Sequence, residues 1–105
     1  MKNYCVKKYS VEQLDRGQDF LTDYINDIKR SKISLNYYIE RVEECEKMLK
    51  LNEEMKASLS ASAYLKNKEM YERDMCEYKR IVTRIEVEIE KREIGLEELR
   101  EKYCL

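Results

Sequence analysis

The chain has 105 residues, 41 % of them charged and 43 % apolar, with 2 glycines and no proline. That length allows one domain at most, and the composition suits long amphipathic helices while leaving little turn material for a sheet. Lys+Arg is 21 and Asp+Glu is 22, which argues against an electrostatic nucleic-acid binder, and the absence of histidine removes the commonest general base and metal ligand.

The four cysteines, Cys5, Cys45, Cys76 and Cys104, stand far apart with no C-x-x-C pair, so neither a zinc nor a redox motif is expected. Cys45 and Cys76 should come within about a turn of each other, and Cys5 near Cys104, as reduced thiols. No apolar run marks a signal peptide, and no window approaches the roughly 20 apolar residues of a membrane span. A cytoplasmic chain without cofactor, metal or membrane contact is the expectation.

Residues 1–10 read as a polar and aromatic lead carrying Tyr4 and Tyr9. Ser10 opens a capping-box start, with Gln13 three residues on, so the first helix begins at Val11. A seam at strict sevens follows through Leu14, Leu21, Ile28, Leu35, Val42 and Leu49, partnered by Tyr24, Tyr38 and Cys45. This predicts a first helix over 11–56, with 16–19 (around Gly17) or 31–34 as the places where it would break. A break there would give a three-helix arrangement.

The small and hydroxyl residues between Ala57 and Ala63 predict a turn at 57–62, since serine competes with the helix for backbone hydrogen bonds. A second helix over 63–103 follows, and its repeat can be traced back to Ala61. Ala61, Met75, Val82, Ile89, Leu96 and Tyr103 share one heptad position, and Tyr64, Tyr71, Tyr78, Ile85 and Leu99 the other. Lys68 and Arg92 interrupt it. Two helices of similar length with a short connection fold back as an antiparallel hairpin.

A turn centred near residue 59 pairs residues whose numbers add to about 118. That register sets Ile28 beside Ile89, Leu35 beside Val82 and Leu21 beside Leu96, with Lys29, Arg30 and Lys32 beside Glu86, Glu88 and Glu90. It also predicts a contact from Arg92 to Asp27 or Asp23. Phe20, Ile25, Ile33, Ile39, Leu65, Ile81, Val87 and Ile94 exceed what one stripe per helix buries. Dimerisation into a four-helix bundle or a covering partner would absorb them.

No Gly-rich phosphate loop or nucleophile elbow occurs. The carboxylates from Glu86 to Glu101 alternate with Lys91, Arg92 and Arg100 as a solvated face does, so an enzyme is not expected. The residues with more to say are Tyr64, Tyr71 and Tyr78, one heptad apart, with Tyr37 opposite and Met70 alongside. Core filling is one reading of them, and a tyrosine-rich docking surface is the other. Lys79, Arg80 and Arg84 form a small basic cluster beside it. In general look the mix of lysine, glutamate and tyrosine resembles the small helical proteins of bacteriophages and mobile elements.

The expectation is an all-α, non-enzymatic interaction module, most concretely a small stoichiometric binder, inhibitor or adaptor of a larger intracellular complex. Its partner would be another protein or its own copy. A purely structural coiled-coil homo-oligomer is the alternative, and weak nucleic-acid binding a second.

Overall fold

In the computed structural model residues 11–103 are described, and they form an all-α hairpin of two long helices. Helix α1 spans Val11–Glu54 and helix α2 spans Ala61–Tyr103. A single 3-10 turn, Lys56–Ser58, lies between them. Ser10, Cys5, Cys104 and the lead with Tyr4 and Tyr9 fall outside the described residues. Among those described, α1 runs unbroken through 16–19 and 31–34, so the three-helix arrangement does not form. The heptad phase passes both sites unaltered, and the roughly 1 kcal/mol that an interior glycine costs does not interrupt a helix of this length.

The reversal falls earlier than 57–62. The Met55 amide still donates to Leu51 O at 2.9 Å, Ser58 N to Met55 O at 2.9 Å, and Leu59 N to Lys56 O at 3.4 Å. Leu59 is extended (φ −101°, ψ 152°), and Met55 sits at φ −90°, ψ 3°. These residues flanking the 3-10 turn have negative φ, so neither needs to be glycine. Ser60 then caps α2: its Oγ accepts from Ala63 N at 3.1 Å, and its carbonyl accepts from Tyr64 N at 3.0 Å. Such a cap contributes about 1 kcal/mol, which is why the serine cluster starts a helix two residues before the expected position.

Contacts divide the chain into two compact units, one joining the residues through Lys32 to those from Val87 on, the other Ile33–Glu86. In the first, Ile28 and Ile89 are both buried, as the antiparallel register requires. Arg92, however, donates to Ser31 Oγ at 2.6 Å and not to Asp27 or Asp23. Asp27 is taken by Arg30 one turn along its own helix, at 3.3 Å. Direction adds a second reason. Helical side chains lean toward their helix's N-terminus, so in an antiparallel pair long side chains meet partners displaced toward higher numbers. The same lean takes Lys32 to Glu93, at 3.4 Å, beyond the expected Glu86, Glu88 and Glu90.

Gly95 marks a close approach that the sequence reading passed over. A Cβ built on it would lie 2.9 Å from Cε1 of Tyr24 and 3.2 Å from its hydroxyl, so the ring occupies the space an alanine methyl would take. The obstacle is the far end of a side chain and can swing aside at some cost. Gly95→Ala is therefore expected to gain well under the roughly 1 kcal/mol of helix propensity in the native chain, and close to all of it when Tyr24→Ala is also present. Urea midpoints of the four members of that double-mutant cycle check the coupling.

Candidate interaction surface

The tyrosine and methionine residues of the candidate surface lie in the Ile33–Glu86 unit. Near its turn, Asn52 is the one buried polar residue among those described, 6 % exposed. Its Nδ2 donates to the Tyr64 carbonyl at 3.1 Å, and its Oδ1 accepts from Asn67 Nδ2 at 3.1 Å. Tyr64 is itself buried, and its hydroxyl donates to a Glu53 carboxylate oxygen. Lys56 Nζ stands 4.9 Å from the centroid of its ring. Tyr64 thus serves as a strut between the helices, its hydroxyl held by Glu53 and its ring covered by Lys56.

The remaining aromatic residues divide. Tyr78, half-buried, meets Tyr38 across the hairpin with centroids 6.1 Å apart. Tyr38 in turn contacts Tyr37 edge to face at 5.1 Å. Tyr37 is 53 % exposed and lies under Arg41, whose guanidinium carbon is 5.0 Å from its ring centroid. Tyr71 lines a hollow of about 110 Å³ together with Met48, Leu51, Asn52, Met55, Leu59 and Asn67. Met70 is 38 % exposed.

Arg41 is a participant the sequence reading did not single out. It pairs with Glu44 at 3.0 Å, and its Nε is buried without a hydrogen-bond partner. Its position seven residues before Met48 was the available signal. Lys79, Arg80 and Arg84 are all exposed. At 100° per residue, Arg80 and Arg84 stand about 40° apart on one side of α2, whereas Lys79 points about 100° away from Arg80 and farther from Arg84, so the helix brings two of the three cations together and turns the third aside.

Of the surplus apolar residues, Ile33, Ile39, Leu65, Val87 and Ile94 are exposed, Ile33 most of all at 71 %. Ile25 and Ile81 are half-buried, and the side chain of Phe20 is outside the described set. Cys45 is buried and Cys76 exposed, both as free thiols. Among the described residues no three His, Cys, Asp or Glu side chains come together as a metal site, and no helix is long and apolar enough to cross a membrane. Comparison with protein-family models, curated proteins and solved structures finds no match.

Among the described residues, two groups titrate away from their ordinary values. Burial, and then the charges of Asp74 and Glu44, push the Cys45 thiol above 9.0, against an opposing pull from Arg41. The hydrogen bond to Glu53, followed by burial and the Glu53 and Glu72 charges, pushes the Tyr64 phenol above 10.0. In both the folded state favours the neutral form, so the stabilisation is complete below the ordinary value and is lost as pH rises through the raised one. Urea midpoints should hold steady below the ordinary thiol and phenol values and fall as the pH rises above them. Tyr64→Phe should start lower, having lost the bond to Glu53, and fall less steeply. A wild-type midpoint that stays flat across this range contradicts the assignment.

Proposed function

We propose that this chain is a non-enzymatic protein-interaction module, in its most concrete form a small stoichiometric binder or inhibitor of a larger assembly. The observation that carries this reading is the scarcity of interior: among the described residues only Ile28, Cys45, Tyr64 and Ile89 are buried apolar side chains, and none is fully enclosed. Large apolar groups remain in water instead, and in the Ile33–Glu86 unit they include Tyr37, Leu51, Met55 and Met70. Tyrosine, methionine and arginine are the residue types that dominate protein interfaces, because they offer large contact area at modest ordering cost. Tyr71 adds one wall of the hollow, which is wide enough for a single apolar side chain of a partner.

Tyr64, expected in this surface from its spacing, is buried and so supports the surface instead of contacting a partner. Nucleic-acid contact has little behind it, since of the three cations only Arg80 and Arg84 share a side of α2 and Lys79 points away. The test uses Tyr37 and Met70, two of these exposed residues, which can be changed without emptying the core. Tyr37→Glu with Met70→Glu should leave helicity by circular dichroism unchanged and abolish affinity capture of a partner from the native host. Capture undiminished by that pair would remove the surface from consideration.

A further inference from the structure

In the unit joining the residues through Lys32 to those from Val87 on, one side of α2 is apolar at its centre and acidic around it. Ile94 is 54 % exposed there. It falls between the seam residues Arg92 and Leu96, on the outer side of the helix away from α1. One turn to either side of it stand Glu90, Lys91, Glu97 and Glu98, and a turn farther on stands Glu101, all exposed. Arg100 and Lys102 point about 100° to the two sides of Glu101 and so flank this face without lying on it. Glu93 is turned to Lys32. Among the described residues of the face, Lys91 is therefore the one cation beside four carboxylates.

We infer that this face of α2 seats the chain's own lead, residues 1–10, which precede α1 and lie outside the described residues. The inference stands apart from the interaction reading above, whose surface belongs to the other unit. The lead carries Tyr4, Val6 and Tyr9 together with Lys2, Lys7 and Lys8, and no aspartate or glutamate. Its three cations answer a face on which four carboxylates less Lys91 leave an excess of three negative charges. Length decides which apolar group the lead reaches. The approach of Tyr24 to Gly95 sets these two residues level. Val11 lies 13 residues before Tyr24, so α1 begins about 20 Å along the axis from Ile94. Crossing to the outer side of α2 adds about 15 Å sideways, one interaxial distance and one helix radius. The direct path is then about 25 Å, or roughly eight residues of extended chain. Tyr4, seven residues before Val11, comes to Ile94 with its side chain covering the last few ångströms. Lys7 and Lys8 fall nearer to α1, beside Glu98 and Glu101. Val87 is the other exposed large apolar residue described in this unit. It lies about 10 Å farther on, at the limit of what ten residues span.

Disulfide trapping in the whole chain tests this, with Cys5 of the lead as the probe. In a background of Cys76→Ser and Cys104→Ser, which removes competing thiols, a new thiol is placed on the face by Glu98→Cys. The control is Asp19→Cys, an exposed position on α1 that the lead reaches at least as easily. With diamide as oxidant, the link from Cys5 within one molecule should form about tenfold faster in Glu98→Cys than in Asp19→Cys, because a seated lead raises the effective concentration at one site alone. Ile94→Ser, at an exposed position, should bring the two rates within about twofold of each other. Lys7→Glu with Lys8→Glu should do the same, and serves where Ile94→Ser lowers helicity by circular dichroism. Equal rates at the two positions overturn the inference. So does a fast link in Glu98→Cys that is indifferent to both changes, or one that forms between molecules.

Discussion

The arrangement depends first on one buried side-chain amide. A heptad seam of leucine, isoleucine, valine and tyrosine specifies that two helices pair, but sliding one helix past the other by seven residues preserves most of its apolar contacts. Asn52 does not permit that slide. Its donor and acceptor are both used, toward the Tyr64 carbonyl and Asn67, and a shift by one heptad would leave a buried amide unpaired, a cost of about 1–3 kcal/mol. Glu53, the neighbouring residue, receives the Tyr64 hydroxyl. The polar network therefore stands at the first contact after the turn, where it fixes the register for the later levels of the Ile33–Glu86 unit.

Two consequences reach the surface. Because Tyr64 is engaged inward, the tyrosines at sevens are not equivalent despite identical spacing: one is a strut, one walls a hollow, and one stacks across the hairpin. The register also decides that Met48 and Met70 share a level, as do Arg41 and Asp74, and so creates an ordered apolar and charged pattern that neither helix carries alone. A slipped hairpin would present the same residues without that order.

The hairpin was legible in the sequence because a period of 3.5 is a repeated signal and survives individual exceptions such as Lys68 and Arg92. The antiparallel register was legible too, since apolar residues have few ways to match. Three things were not. Ser60 was hidden among Ser58 and Ser62, because capping depends on which serine adopts the non-helical conformation. The partners of Arg92 and Lys32 were misplaced by about a turn, because numbering treats residues as points and side chains lean. The role of Gly95 could not be read from composition, since its significance lies in the ring of Tyr24 beside it. For the candidate surface, heptad spacing treats Tyr64 and Tyr37 alike as tyrosines near the seam, and it is exposure, which spacing does not give, that separates them.

The most direct test of the central claim is the distance between spin labels at Asn36 and Thr83, two exposed positions on facing helices of the Ile33–Glu86 unit. In the native chain at concentrations low enough to exclude pairing between molecules, one narrow distribution is expected. Asn52→Leu should add a second population displaced by about one heptad, roughly 10 Å along the helix. A single unchanged distance in Asn52→Leu would contradict the account, because the apolar seam alone would then suffice to set the register.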